Sequence, residues 1–182
     1  MTKSMTGSFY LTETVTLPAA TASGARVTGT VDLSAYVNVP TGQAIAIESV
    51  DLVYQVGTDF GSDGSSMLAA NGAITAQLVD QNPGTAFVRA DNHSLVASGS
   101  LNIDVPNNIL SHTTDLYPDN FGPANLSEAF LVVNDGLFLT AGPDGQPIGV
   151  AAVSVTARIR ARVVKLSTKD WMAIAIQSTA DQ

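Results

Sequence analysis

An all-β protein, a sandwich or barrel of eight or nine strands with one short C-terminal helix, is predicted by three observations. Apolar and polar residues alternate with a period of two along most of the chain. Clusters of Gly, Pro, Asp, Asn and Ser punctuate that alternation, and only one segment, near the end, has helix signals. At 182 residues the chain is most simply one domain, 1–182, long enough to bury a core without disulfides or metals.

Within it, residues 1–7 read as an N-terminal arm. Phe9, Leu11, Val15 and Leu17 then face one way and Tyr10, Thr12, Thr14 and Thr16 the other, with Glu13 alone on the apolar side. Val27, Val31 and Leu33 repeat the pattern against Thr28, Thr30 and Asp32. In Gln43–Val56 the apolar parity flips: Ile45 and Ile47 are odd, whereas Val50, Leu52, Tyr54 and Val56 are even. Such a flip predicts a β-bulge near Glu48–Ser49, or two strands joined by a kink. Strands are expected next at Ala73–Val79, Thr85–Ala90 and Leu95–Val105. Phe130–Val133 and Leu137–Thr140 flank Asn134-Asp135-Gly136, a hairpin signal because Asp-Gly suits the positive φ of a tight turn. Turn clusters fall at Asp59–Ser66, Asp80–Gly84, Asp91–Ser94, Tyr117–Asn125 and Gly142–Gly149.

The last strand, Val153–Val163, is the most informative. Val153, Val155, Ala157, Ile159, Ala161 and Val163 share one face; Ser154, Thr156, Arg158, Arg160 and Arg162 share the other. Three guanidinium groups thus lie in a row about 13 Å long at roughly 3.3 Å per residue. Residues 167–182 form a helix and tail. Ser167-Thr168-Lys169-Asp170 has capping-box spacing, with Asp in place of Glu, and Trp171-Met172-Ala173-Ile174-Ala175-Ile176 is apolar on nearly every side. That helix either packs into the domain or docks on another subunit.

Charge is scarce and unevenly placed. Charged residues make up 13% of the chain, about half the usual share, and the net charge is −8. Residues 1–157 hold three basic and fourteen acidic side chains, net −11; residues 158–182 hold five and two, net +3. A chain divided in this way offers its own acidic surface as a partner for its own basic strip, which points to association between copies. The balance disfavours a nucleic-acid binder. Thirteen Asp against three Lys fits a protein kept hydrated in strong salt, or simply an acidic soluble one. No cysteine is present, so thiol chemistry and disulfides are excluded. No cleavable signal is expected, and the longest charge-free stretch, Gly64–Val79, is too short and polar to span a bilayer.

Catalytic patterns are poor. His93 and His112 sit in polar stretches that read as surface loops, and neither a G-x-S-x-G elbow nor a phosphate-binding glycine loop occurs. An enzyme would need one of these histidines to approach carboxylates in a pocket. Asp59 and Asp63 sit four apart in a glycine-rich loop, with Asp119-Asn120 and Asp144-Gly145 as further oxygen-rich turns. Calcium favours such oxygens, but the D-x-D-x-D-G pattern is missing and turn geometry alone explains Asp and Gly there. No metal site, cofactor or small-molecule substrate is assigned. The alternative to an assembling protein is a carbohydrate-binding sandwich, against which count the single Trp and the scatter of Tyr10, Tyr36, Tyr54 and Tyr117. For the arginine strip, the choice lies between cross-strand carboxylates, an acidic protein neighbour and a phosphate-bearing partner.

From Ser8-Phe9-Tyr10-Leu11-Thr12-Glu13-Thr14-Val15-Thr16-Leu17-Pro18, through a β-only body, to Ala157-Arg158-Ile159-Arg160-Ala161-Arg162-Val163-Val164-Lys165-Leu166, the chain resembles a viral family. It looks like the smaller single-jelly-roll major capsid protein of tailless icosahedral viruses with an internal membrane, the haloarchaeal sphaerolipovirus group and its Thermus-phage relatives. The resemblance is one of size, pattern and acidity over the whole chain. It implies a single jelly roll in the capsid shell of a virion, a halophilic archaeal virus among the candidates. It further implies pairing with itself and with a second, larger capsid protein into capsomers above a membrane, with no direct contact to nucleic acid. The family has no catalytic residues, and the chain is expected not to be an enzyme. Arg158, Arg160, Arg162 and Trp171 are the residues expected at subunit contacts.

Overall fold

Alternation along the chain becomes two facing sheets in a computed structural model, which describes residues 3–60, 63–117 and 130–179. The strands are β1 (Lys3–Ser4), β2 (Phe9–Leu17), β3 (Val27–Asp32), β4 (Gln43–Val56) and β5 (Gly72–Val79), then β6 (Leu95–Asp104), β7 (Ile109–Leu116), β8 (Phe130–Val132), β9 (Gly136–Asp144) and β10 (Val153–Lys165). One turn of helix, α1 (Gly64–Met67), precedes β5, and α2 (Thr168–Thr179) follows β10. In the first sheet β10 lies centrally, with β4 and then β8 on one side and β2 and β1 sharing the other. The second sheet runs β3-β9-β5-β6-β7. The orders β2-β10-β4-β8 and β3-β9-β5-β6, all antiparallel, are those of a jelly roll, with β7 added at an edge.

The inward residues read from the sequence do fill one shared core. Leu17, Ile45, Ile47, Val155, Ile159, Ile74, Leu78, Leu137 and Leu139 are all buried there. Truncating Ile159 to Ala in such a core costs about 2–5 kcal/mol. Tyr54 ties the two sheets together, its hydroxyl donating to the Gly99 carbonyl at 3.0 Å, and burial holds that phenol protonated. Glu13 faces inward at the rim of the edge strand β2, opposite Gly29, where a Cβ would come within 2.8 Å of its carboxylate. An inward charge on an edge strand opposes pairing with a stray strand.

Three expectations are corrected. Thr85–Ala90 is not a strand; it belongs to a loop lying over the outer face of the second sheet, where the Gln77 amide takes its backbone bonds. The Asn134-Asp135-Gly136 turn is not a hairpin, because β8 pairs with β4 and β9 with β3 and β5 in the opposite sheet. His112 lies on strand β7, not in a loop; β7 is exposed on nearly all its residues, so it carries no apolar alternation to read. The arm at residues 1–7 is laid down from Lys3 along β10, with Lys3 opposite Lys165 and the Met5 amide on the Val163 carbonyl. Past Tyr117, the turn cluster Tyr117–Asn125, with Asp119-Asn120, lies outside the described residues, as does the tail beyond Thr179.

Candidate assembly surface

The outer face of the first sheet is built around a one-residue irregularity. β4 and β10 pair without a break from Val56–Val153 to Ser49–Arg160; the next pair is Ile47–Ala161, so Glu48 is the extra residue of a β-bulge. This is the bulge that the parity flip predicts. Beyond it, the outward residues of β4 are Ala46 and Ala44, opposite Arg162 and Val164; before it they are Ser49, Asp51, Val53 and Gln55. The bulge places the Glu48 carboxylate on the same face as the arginines.

Two of the three arginines close on that carboxylate. Arg160 Nε lies 2.9 Å from Glu48 Oε2, and Arg162 donates to Oε1 at 2.9 Å. The Ser8 hydroxyl also donates to Glu48, at 2.8 Å. Burial alone would raise the Glu48 pKa, but the Ser8 hydroxyl and the two guanidiniums outweigh it and hold the carboxyl below its ordinary range. Arg162 is mostly covered, whereas half of the Arg160 side chain remains exposed. Arg158 stands apart. It is exposed, its guanidinium carbon is 5.2 Å from the centre of the Tyr10 ring, and Asp51 is its cross-strand partner on β4. Tyr10 itself is 59% exposed.

On the β2 side of this strip the face carries hydroxyl groups. Thr14 and Thr156 hydroxyls meet at 2.8 Å across β2 and β10, and Thr16 meets Ser154 at 3.4 Å. At the far end of the same face α2 covers a second, smaller apolar cluster. Ala44, Ala46, Val133, Val164 and Leu166 form its floor, and Trp171, Ile174 and Ala175 pack onto it. The small alanines let the helix approach. Its start is fixed as the spacing predicts: Ser167 Oγ accepts from the Asp170 amide at 3.2 Å and donates to its carboxylate at 2.7 Å. At Gly42 φ is +70°, and a Cβ would lie 2.5 Å from the Leu166 carbonyl, so glycine alone lets β10 leave for the helix here. Trp171 therefore packs on its own sheet, with its indole N–H buried and unpartnered; Met172 and Ile176 remain exposed on the helix.

The other candidates of the sequence resolve as follows. Among the described residues no three acidic or histidine side chains gather as metal ligands would, and the Asp63 carboxylate accepts from Ser65 at 2.6 Å. No helix among them is long and apolar enough to cross a membrane. Tyr36 stacks on Phe9 with ring centres 5.3 Å apart. Tyr54 and Tyr117, however, converge above Gly99, and His112 joins them: it lies edge-on to Tyr54 and 3.5 Å from an Asp115 carboxylate oxygen. Sequence reasoning missed this cluster because β7 was not recognised as a strand.

No family model matches the chain, and no curated protein matches it. Among solved structures, it is similar to one of turnip yellow mosaic virus at 9% identity, covering 89% of this chain and 98% of that one with a TM-score of 0.29. It is similar to one of cocksfoot mottle virus at 11% identity, covering 90% and 87% with a TM-score of 0.28. The strand order rests on the pairings described above and not on this likeness.

Proposed function

We propose that the chain is a structural subunit of a viral capsid, acting in the virion by packing and charge complementarity and not by catalysis. Jelly rolls also serve as lectin domains, so fold alone does not decide this. The observation that carries the reading is the distribution of exposed apolar side chains on a charge-poor surface. Phe60 and Val150 stand out at one end of the sandwich, Val39 at the other, and Met172 and Ile176 on the helix. A subunit in a closed shell needs contacts on several sides, whereas a monomeric binder needs one cleft.

The finer reading is that Arg158, with Tyr10, meets the acidic body of a neighbour. Arg160 and Arg162 hold the strip in shape through Glu48, and Trp171 anchors the helix that presents Met172 and Ile176. Association with a second, larger capsid protein over an internal membrane, as in the haloarchaeal group, belongs to the same proposal. Arg158 is the residue to test, because reversing Arg160 would place two carboxylates together within one chain. Light scattering across a salt series is expected to show large assemblies for the wild type, alone or with a co-expressed partner. Arg158→Glu should lose them while its circular dichroism stays unchanged. Assembly unaffected by Arg158→Glu would remove the strip from the contact. A wild type that stays monomeric at every salt concentration, with no partner requirement, would end the capsid reading.

A further inference from the structure

A cavity of about 370 Å³ opens between β4 of the first sheet and β6 and β7 of the second. Its lining includes the buried side chains Leu52, Met67 and Leu101, together with Leu110, and these side chains offer dispersion contact. Tyr54 presents its ring but not its hydroxyl, which is engaged with the Gly99 carbonyl. Phe60 forms an outer wall while 78% exposed. His112 and Tyr54 are the titratable side chains in the lining, and the Tyr54 hydroxyl is already engaged.

The surroundings of His112 define what the mouth accepts. The Asp115 carboxylate, 3.5 Å from Nδ1, favours the proton on that nitrogen and leaves Nε2 as a hydrogen-bond acceptor. Leu52 of the cavity, Asp115 and the Tyr117 hydroxyl all converge within 3.2 Å of the same point above Gly99. Asp115 thus brings a carboxylate beside His112 at this rim. Such a rim repels anions and favours cations, which aromatic faces also attract.

We propose that this cavity binds a small amphiphile with an apolar body and a cationic, hydrogen-donating head, an alkylammonium or arylammonium ion. The site shares Phe60 with the exposed apolar side chains that support the capsid reading, but its ligand test is separate from that reading's assembly test. The neutral fluorophore N-phenyl-1-naphthylamine serves as the probe, displaced in turn by hexylamine, hexanol and hexanoate at pH 8. Hexylamine should compete at least tenfold better than hexanoate, with hexanol between, and Asp115→Asn should narrow that ratio severalfold. Filling the cavity with Leu110→Trp, or with Leu101→Phe should the first not fold, should weaken the probe at least tenfold. A proton NMR titration of the wild type with hexylamine should move the His112 ring signals and leave those of His93, identified with His93→Gln, in place. Equal competition by amine and carboxylate, a folded filling variant with full probe affinity, or unmoved His112 signals would each overturn the proposal.

Discussion

The two outer faces of the sandwich are covered by opposite means. On the first sheet, α2 lies on alanines and valines through apolar contact, and the Trp171 indole N–H is buried there without a partner. On the second, the loop between β5 and β6 is held by directed bonds. Gln77, itself buried, donates to the Val88 carbonyl at 3.0 Å and accepts from the Val88 amide at 2.9 Å. Arg26 stacks on Phe87, its guanidinium carbon 4.2 Å from the ring centre, while it pairs with Asp144 at 2.7 Å. Apolar contact tolerates sliding and replacement, whereas a two-bond amide clamp accepts one register only. The helical cover is thus the adaptable one and the loop cover the fixed one, and the strip proposed to meet neighbours lies beside the adaptable side.

The strongest challenge to this contrast is at the root of the loop. Asp80 ends β5, its amide bonded to the Ser94 carbonyl and its own carbonyl accepting from Asn134, while carboxylate oxygen Oδ1 is buried without a partner. Burial raises its pKa to about 7. The folded form therefore holds a proton that the unfolded chain, with an Asp pKa near 3.9, has released. Stability from this group is fully present below about pH 4 and is lost as pH rises through about 7, at up to about 1.4 kcal/mol per pH unit. Denaturant titrations at pH 4, 6 and 8 should show that slope, and Asp80→Asn should flatten it, leaving the variant the more stable at pH 8. A wild-type profile flat over this window would contradict the fixed, buried setting of the loop root.

Next in size, Gln77→Leu leaves the Val88 amide and carbonyl without partners and should cost about 2–3 kcal/mol in urea unfolding. Trp171→Ala should cost about 2 kcal/mol, since the ring is half-buried in a small cluster, while Trp171→Phe, which removes the orphan donor, should cost less than about 1. If Trp171 emission were fully quenched by iodide, the helix would not be docked as described. Smallest, Glu48→Gln should cost about 1 kcal/mol at pH 7. The Glu48 pKa is lowered, so its contribution is present above the unfolded carboxylate pKa and is lost as pH falls through the lowered folded one, and wild type and variant should converge in acid.

Much of this was legible in the chain, and the gaps have physical causes. The bulge could be read because one extra residue flips every following side chain, a signal carried by Ile45, Ile47, Val50 and Leu52 themselves. The arginine strip was equally plain. Its tie to Glu48 was not, because that partner is over a hundred residues away and reaches the strip only through the bulge. The order of strands depends on such distant pairings, so alternation gave a sandwich or barrel and the jelly-roll order came from family resemblance. β7 escaped notice because Leu110 is the one apolar side chain that its described residues turn toward the core, and the false strand at Thr85–Ala90 arose because Phe87 and Val88 are held by Arg26 and Gln77, not by a neighbouring strand.

The bulge at Glu48 also makes chain length a specificity element. Removing that single position, with no change in the character of any neighbour, would exchange inside for outside along one half of β4. The isoleucines at 45 and 47 would turn toward the helix and the alanines toward the core. A one-codon deletion there should therefore be far more damaging than substitutions at the same place, and the spacing of this strand is as much a part of its message as its composition.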